Sequence, residues 1–391
     1  MTNRPAGPEI DVAIVGLGGI GSAAAYWAAA RGASVVGHEQ FALGHDRGAS
    51  HDHSRIIRYS YHTPTYVELS RLAYRTWESV EIESATDLVV RCGGLDLFPA
   101  GCTIAPDDYR HALEECAIPY EWLDDTEIRT RWPQFRIGDD VNGLFQADGG
   151  IVAASLGVAA HQALATARGA VLHDHSRVES VREIADEVEI TVDGRASRSG
   201  AAIIAADAWM NELLPEPLPI TVVREQVTYF DSPTPDVFAI GRHPVWIWMD
   251  DPSFYGFPTF GEGATKVAQD CGGHVTTADE RDFEPDLAEL ERVEHFARRT
   301  FGTAIGAAHA TRTCLYTLTP DRDFVLDRVP GTNHIWVVQG AAHAYKFASI
   351  LGRLLAECAL DGDCTATFDR SSFAIDRAAL TDPNYESNWM V

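Results

Sequence analysis

The sequence predicts an α/β protein in which a Rossmann-like nucleotide-binding domain is interrupted by a second, mainly antiparallel β-sheet domain. The first observation is a strand over residues 11–15, followed by a glycine-rich turn, an alanine-rich helix and a second strand over residues 34–38. The second is a pair of short apolar runs, residues 201–206 and 334–338, typical of further strands beside these. The third is a set of aromatic, alternating segments that indicate an antiparallel sheet, namely residues 221–230, 245–249 and 254–257.

Composition places the chain among globular proteins with an acidic surface. It has 391 residues, 46% of them hydrophobic, and a formal net charge of -26 at pH 7. That charge disfavours binding to nucleic acid and to anionic membranes. No stretch approaches the ~20 apolar residues of a membrane helix, and the first ten residues lack a signal-peptide core, so we expect a cytoplasmic protein. The seven cysteines have no regular spacing, which predicts reduced thiols and no metal site.

The turn Gly16-Leu17-Gly18-Gly19-Ile20-Gly21 predicts a dinucleotide at the N-terminus of the first helix. In this pattern Gly16 permits the tight turn, Gly18 lets the backbone approach a pyrophosphate, and Gly21 lets the helix pack on the strand. Glu39 ends the second strand, where a carboxylate can accept hydrogen bonds from the adenosine ribose.

FAD and NAD share this fingerprint. A flavoprotein that also used a nicotinamide would need a second GxGxxG motif after a strand, and we find none in the sequence. The pattern therefore favours FAD that is reduced directly by a substrate. A plain NAD dehydrogenase with one such motif is the alternative, and residues beyond the first unit decide against it.

Four separated motifs follow one another along the chain, namely Ser54-Arg55-Ile56-Ile57-Arg58-Tyr59, Tyr255-Gly256-Phe257-Pro258, Thr313-Cys314-Leu315-Tyr316-Thr317 and Tyr345-Lys346-Phe347. In these motifs the chain resembles the monomeric sarcosine oxidase and N-methyltryptophan oxidase family over nearly its whole length. The resemblance implies a monomer with an FAD domain of the D-amino-acid-oxidase type, which we expect over residues 1–90, 145–215 and 320–391. A substrate domain over the flavin would take residues 91–144 and 216–319.

The resemblance implies cofactor contacts at Gly16, Gly18, Gly21, Glu39, Ser54, Arg55, Cys314 and Lys346. In that family a cysteine matching Cys314 forms a thioether to the flavin 8α-methyl group, so covalent FAD is implied here. A thiolate is the nucleophile that this bond needs, and nearby Arg312 is a cation that would help lower the pKa of the thiol.

Substrate-binding and catalytic positions are implied in the same way. Arg58 and Lys346 match the pair that holds the substrate carboxylate, the arginine as a bidentate fork and the lysine as a point charge. Tyr255 belongs to the implied substrate pocket, and Tyr316 would place its ring and hydroxyl near the substrate.

Two further cations are implied beside the flavin. Arg55 matches an arginine next to the flavin, and Lys266 matches the lysine that promotes the reaction of reduced flavin with oxygen. A fixed ammonium stabilises the negative charge that develops on oxygen as it accepts an electron.

Three departures from the family pattern put the substrate and the cofactor packing in doubt. Asp270 replaces an active-site histidine, and it would pair with a cationic amine, accept a proton or face solvent. The segment 341–346, Ala-Ala-His-Ala-Tyr-Lys, has alanines where the family has two glycines. Asp207 stands where a glycine is usual in a loop near the FAD.

The resulting hypothesis is an FAD-dependent oxidase of a secondary amine, with an N-methyl amino acid such as sarcosine or N-methyltryptophan as the first candidate. Its products would be an imine, which is hydrolysed to amine and aldehyde, and hydrogen peroxide. The alternatives are an oxidase of a cyclic imino acid or bulkier secondary amine, and a flavin amine dehydrogenase that passes electrons to a carrier. A non-catalytic flavin-binding protein is the alternative from a different class.

Overall fold

The computed structural model describes residues 9–364 and 368–388, and within them it contains eight α-helices and four β-sheets. The helices α1–α8 span Gly19–Ala30, Pro64–Ser84, Pro106–Glu115, Asp125–Arg131, Ala154–Ala167, Leu287–Phe301, Ala348–Asp361 and Ala378–Thr381. The strands β1–β21 span Val12–Val15, Val35–His38, Ser54–Ile57, Val89–Arg91, Gly94–Pro99, Glu121–Leu123, Val141–Gln146, Gly150–Ala153, Val171–His173, Val178–Ile184, Glu187–Val192, Arg195–Ser199, Ala201–Ile204, Thr221–Phe230, Val245–Trp248, Phe254–Phe257, Thr265–Gln269, His274–Val275, Ala308–Leu318, Val325–Arg328 and Ile335–Gln339.

The first sheet is the predicted nucleotide-binding sheet. Its strand order is β20-β21-β13-β1-β2-β9, and every neighbouring pair is parallel except β20 with β21. All four residues of β1 and of β13 are buried, as expected for strands with apolar side chains on both faces. The strands predicted around residues 201–206 and 334–338 are thereby confirmed as neighbours in the sheet of β1.

Small residues allow the helices on this sheet to pack closely. Helix α1 contacts both α5 and α7, and most of its buried residues are alanine or glycine. A Cβ atom added to Gly352 of α7 would lie 2.5 Å from the Cβ atom of Ala23, so no larger residue fits at this crossing. The opposite face of the sheet packs against the three-stranded sheet β10-β11-β12.

The second large sheet is mainly antiparallel, as predicted. It runs in the order β18-β14-β17-β16-β15-β5-β7-β6, with β19 paired to β14. The contact between β15 and β5 is parallel, and the other pairs are antiparallel. Aromatic side chains of this sheet pack against helix α6, for example Trp246 against Phe296 and Phe301.

The two large sheets position the site described below. Residues of the turn after β1 and of β3, β16, β17 and β19 line one cavity. No helix in the described ranges is both long and apolar enough to cross a membrane. The domain boundaries given above stay a prediction.

Candidate functional site

One continuous cavity extends from the glycine turn to the antiparallel sheet. Residues from both sheets line it, and they include almost every position singled out from the sequence, namely Gly16, Gly18, Glu39, Ser54, Arg55, Arg58, Tyr255, Lys266, Asp270, Cys314, Tyr316 and Lys346. Gly21 is the exception, since it is buried in the first turn of α1 and does not line the cavity. The cavity thus unites residues that lie up to 330 positions apart in the sequence, from Gly16 to Lys346.

The glycine turn has the geometry that its pattern predicts. Gly16 has a φ of +88°, and a Cβ atom there would lie 2.5 Å from the carbonyl oxygen of Ala205. A Cβ atom at Gly21 would lie 1.9 Å from the carbonyl oxygen of Gly16. At Gly18 the nearest atom would be Ser50 Oγ at 3.4 Å. Gly16 and Gly21 therefore shape the turn, whereas Gly18 keeps its cavity face open.

Glu39 is buried at the end of β2 and held by three hydrogen bonds. Its oxygens accept from the backbone N–H groups of Leu17 (3.0 Å) and Phe41 (3.1 Å), and His45 Nε2 lies 3.3 Å from Oε1. Burial raises the pKa of this carboxyl, but His45 and the two N–H donors outweigh it and hold the pKa below its usual value. An ionised acceptor therefore stands on the cavity wall beside the glycine turn.

Lys266 is buried in a network that the sequence did not reveal. Its Nζ atom donates to Asp52 Oδ2 and to the Ser54 carbonyl oxygen, both at 3.0 Å. Asp52 also accepts from Tyr229 Oη at 2.7 Å. Burial lowers the pKa of Lys266 to about 8, although Asp52 opposes this shift. The lysine is thus a cation near neutral pH because its counter-charge is in contact.

Arg55 fixes the loop that precedes β3. Its guanidinium donates to the carbonyl oxygens of Ala49 (2.7 Å), His51 (2.9 Å) and Ser54 (2.8 Å). The pKa of Arg55 is raised because Cys314 and Asp52 outweigh the effect of burial. Three backbone contacts leave this cation in a fixed place on the cavity wall.

Cys314 is a buried free thiol in the middle of β19, and it lines the cavity. Burial raises its pKa to about 11, while the guanidinium groups of Arg55 and Arg281 oppose that shift. The expectation that Arg312 would activate the thiol is wrong. Arg312 instead forms an ion pair with Glu262, and this carboxylate offsets the positive charge of the arginine.

Tyr255 of β16 and Tyr316 of β19 both line the cavity. Burial raises the pKa of both hydroxyls far above the ordinary value for tyrosine. Both phenols therefore stay neutral at every physiological pH. They offer ring faces and hydroxyl groups rather than a charge.

Arg58 and Lys346 do meet at one end of the cavity, as the resemblance implied. Lys346 Nζ donates to Tyr61 Oη at 2.8 Å, and the Arg58 guanidinium lies 5.1 Å from the ring centre of the same tyrosine. Arg58 is not free, however, because its NH1 atom donates to Asp96 Oδ1 at 2.7 Å. Asp96 also accepts from Ser60 Oγ at 2.5 Å.

Asp270 pairs with an arginine that was not singled out from the sequence. Both of its oxygens accept from Arg322, at 2.6 Å from NH1 and 2.9 Å from NH2. Arg322 is buried, and its guanidinium lies 5.9 Å from the ring centre of Tyr316. Of the three roles left open for Asp270, exposure to bulk solvent is wrong, because the carboxylate forms a bidentate ion pair on the cavity wall.

The other two departures occur where the backbone is left-handed. Asp207 has a φ of 47° and Ala342 a φ of 69°, and Ala341 beside it has a φ of 45°. Such φ values favour glycine, so the side chains at these positions are retained at a cost of about 1–2 kcal/mol each. Burial raises the pKa of Asp207 to about 6.

Unpartnered polar atoms show that the cavity fits a polar ligand of FAD size. His51 Nε2, Arg58 Nε and Asp207 Oδ2 are buried without a hydrogen-bond partner among the described residues, and all three residues line the cavity. Such atoms normally find a partner, because an unmade buried hydrogen bond costs about 1–3 kcal/mol. The open face of Gly18, the carboxylate of Glu39 and the distant Cys314 match a pyrophosphate, a ribose and a flavin ring along one channel.

Comparison with known proteins decides the family. The family described as FAD dependent oxidoreductase matches residues 11–358. The chain belongs to this family. This FAD-dependent oxidoreductase is 34% identical to the monomeric sarcosine oxidase of Streptomyces avermitilis, over 91% of its own length and 94% of that relative. It is 31% identical to the N-methyl-L-tryptophan oxidase of Escherichia coli (strain SE11), with 94% and 99% coverage.

Solved structures share the fold of this FAD-dependent oxidoreductase. NikD, an unusual amino acid oxidase essential for nikkomycin biosynthesis, superposes with a TM-score of 0.82 at 24% identity, covering 93% of this chain and 97% of that one. The L-proline dehydrogenase from P. horikoshii superposes with a TM-score of 0.81 at 17% identity, with 94% and 97% coverage. The predicted fold and family resemblance are confirmed.

Proposed function

We propose that this flavoprotein oxidises the C–H bond next to a secondary amine whose substrate also carries a carboxylate, with an N-methyl amino acid as the first candidate. The observation that carries the proposal is that one cavity contains cations that can bind a carboxylate, Arg58, Arg322 and Lys346, together with Cys314 and Lys266. The names of the relatives, sarcosine oxidase and N-methyl-L-tryptophan oxidase, support the same chemistry.

Residues of the chain would hold both partners of the reaction. The glycine turn and Glu39 would bind the pyrophosphate and ribose of FAD, and bound FAD supplies the acceptor for a hydride equivalent. Lys346, beside Arg58, would attract the substrate carboxylate. Tyr255 and Tyr316 would enclose the amine without adding charge, so that it can remain a neutral amine from which an imine forms. Hydrolysis of that imine would give an amine and an aldehyde.

Oxygen is the proposed electron acceptor, with hydrogen peroxide as product. Lys266 supports this assignment, because a buried ammonium stabilises negative charge that develops on oxygen. The contact with Asp52 specifically favours a second candidate, a dehydrogenase with a carrier as acceptor, since Asp52 offsets the charge that oxygen would meet. Oxygen consumption against reduction of an artificial carrier separates the two.

A thioether between Cys314 and the flavin is the proposed mode of attachment. The thiol is buried on the cavity wall, and although burial raises its pKa to about 11, the nearby cations Arg55 and Arg281 oppose that rise. Acid precipitation of the purified protein tests this bond. We expect the wild-type protein to give a yellow pellet that retains the flavin, and the Cys314→Ala protein to release its flavin into the supernatant. Full release from wild type, or retention by Cys314→Ala, would contradict the attachment.

Substrate oxidation is tested by peroxide release with sarcosine, N-methyl-L-tryptophan and L-proline. The first two are N-methyl amino acids, and the third represents the cyclic imino acids. Peroxide with an N-methyl amino acid supports the first candidate, and peroxide with L-proline alone supports the cyclic one. Absence of flavin reduction by any secondary amino acid would contradict the proposed function.

A further inference from the structure

Five charged side chains meet at the substrate end of the cavity, namely Arg58, Asp96, Asp270, Arg322 and Lys346. Electrostatic coupling joins them, because the pKa of Lys346 responds to each of the other four. Two of the cations are matched by carboxylates in direct contact, Arg58 by Asp96 and Arg322 by Asp270. Among the described residues, this end of the cavity therefore has one positive charge in excess.

Lys346 is the basic group at this end that no carboxylate in the described ranges contacts. Its Nζ atom contacts only neutral oxygens, Tyr61 Oη at 2.8 Å and the His343 carbonyl at 3.3 Å, and no carboxylate of the described residues lies within 4.0 Å of it. Burial lowers its pKa well below the usual value for lysine, and Arg58 and Arg322 add to the shift. An anion that entered would restore the charge of this lysine. One excess positive charge at this end of the cavity matches a ligand with a single anionic group.

The two arginine pairs differ in how they face the cavity. The side chain of Asp96 is 4% exposed, it does not line the cavity, and Ser60 occupies its second oxygen. The side chain of Asp270 is 21% exposed and lines the cavity beside Arg322. The carboxylate of the first pair is thus enclosed by the fold behind Arg58, whereas both members of the second pair line the cavity.

The backbone of Arg322 supports a functional role. Its φ is 59°, in the left-handed region that costs a residue with a side chain about 1–2 kcal/mol. His343 Nε2 contacts the Arg322 carbonyl oxygen at 2.8 Å and so holds this conformation. Strained residues of this kind cluster at ligand sites, where the surrounding structure fixes the side chain for its task.

We propose that Arg322, oriented by Asp270, forms with Lys346 the binding site for a single substrate carboxylate, whereas Asp96 ties Arg58 to the fold. The proposal rests on the proposed function and narrows its substrate to secondary amines with one carboxylate. It also replaces the expectation that Arg58 is the arginine fork for that carboxylate. Asp270 is a positioning residue in this arrangement.

Binding of a matched pair of probes tests this without turnover. Cyclopentanecarboxylate and cyclopentanecarboxamide differ by the charge, and their affinities for the FAD-loaded protein can be measured by flavin absorption and calorimetry. We expect Arg322→Met to weaken the carboxylate about 30-fold, as for loss of a charge-assisted hydrogen bond, and to leave the carboxamide within about 3-fold. Arg353→Met, on the exposed face of α7, is the control that changes neither.

Two further variants keep the test decisive if Arg322→Met does not fold. Arg322→Lys retains the positive charge opposite Asp270 but loses the planar guanidinium that can donate two hydrogen bonds to one carboxylate. We therefore expect about 5-fold weaker carboxylate binding. Asp270→Asn keeps one oxygen acceptor that holds Arg322 in place but removes the competing negative charge, so we expect tighter carboxylate binding and unchanged carboxamide binding, whereas a purely structural role would weaken both probes.

Equal losses for both probes, or a selective loss in Arg58→Met and none in the Arg322 variants, would overturn the proposal. Because neither probe carries an amine, these outcomes stand apart from failure of amine oxidation itself. A protein that binds the carboxylate as expected but oxidises no amine would contradict the proposed function alone.

Discussion

The glycine turn and Glu39 of the nucleotide end lie within one local stretch of sequence, residues 16–39, whereas the charged residues of the substrate end come from five separate places in the chain. At the nucleotide end, Glu39 accepts hydrogen bonds from the backbone N–H groups of Leu17, in the glycine turn, and of Phe41. At the substrate end, side chains near positions 58, 96, 270, 322 and 346 form two separate ion pairs and one lone cation. Local sequence therefore specifies the cofactor, and long-range packing specifies the substrate.

Backbone conformation shows the same difference. At the nucleotide end Gly16 and Gly44 are left-handed glycines, with φ values of 88° and 79°, and Asp207 beside the glycine turn has a φ of 47°. At the flavin and substrate end the left-handed residues carry side chains, with φ values of 74° at Asp52, 59° at Arg322 and 69° at Ala342. Glycine adopts this region freely, but other residues need support from their surroundings. Most of the left-handed residues with side chains that line the cavity thus lie toward the flavin and substrate end, with Asp207 as the exception beside the glycine turn.

The largest effect is expected in the glycine turn at the nucleotide end, at Gly21. In Gly21→Ala the new Cβ atom would lie 1.9 Å from the carbonyl oxygen of Gly16, so the turn and helix α1 must move apart. We expect about 3 kcal/mol of lost stability and loss of bound FAD. Thermal unfolding and the ratio of flavin to protein measure the two effects.

Gly18→Ala is the matched control for that experiment. Its Cβ atom would meet only Ser50 Oγ, at 3.4 Å, so the FAD-free protein should unfold near the wild-type temperature while its affinity for FAD falls. Equal stability of the Gly21→Ala and Gly18→Ala proteins would contradict the assignment of Gly21 to the shape of the turn and of Gly18 to the open face of the cavity.

The next effect concerns the lone cation of the substrate end. Lys346→Met removes the excess charge, so we expect the KM for an amino-acid substrate to rise about 50-fold with a smaller change in kcat. Lys346→Arg keeps a charge there and should recover part of the affinity. Steady-state kinetics of both proteins test this, and a fall in kcat at constant KM would contradict a carboxylate-binding role.

A pH profile tests the Asp52–Lys266 pair that lies between the two ends. The pKa of Lys266 is lowered to about 8, so the lysine is charged below that pH and neutral above it. Reoxidation of the reduced protein by oxygen should therefore slow as pH rises through about 8. Stopped-flow mixing with oxygen across this range measures the rate.

Asp52→Asn should move that transition to lower pH, because the ammonium loses the carboxylate that stabilises it. Its amide can still accept a hydrogen bond, which limits the structural change. An unchanged profile in the variant would mean that Asp52 does not set the charge of Lys266.

The smallest effect addresses backbone strain. Ala342→Gly removes a side chain from a left-handed residue, and the release of strain exceeds the added freedom of glycine in the unfolded chain. We expect a net gain of about 0.5 kcal/mol, seen as a small rise in Tm. A loss of stability would show that the loop tolerates φ of 69° without strain.

The sequence predicted the nucleotide sheet, the antiparallel strands and the residues along the cavity wall. It did so because the glycine turn is a local motif and because the family motifs flank the cavity. Asp52, Asp96 and Arg322 were missed, since each becomes meaningful only through a partner that lies far away in the sequence: Lys266, Arg58 and Asp270. An isolated acid or arginine has no pattern that distinguishes it from a surface charge.

Anaerobic titration of the FAD-loaded protein tests the central claim most directly. Sarcosine, N-methyl-L-tryptophan and L-proline would each be compared with its methyl ester, which keeps the amine and lacks the carboxylate. The account predicts that at least one of the acids bleaches the flavin, and that its ester requires a concentration about 30-fold higher. Flavin that stays oxidised with every acid, or that is reduced equally by acid and ester, would contradict it.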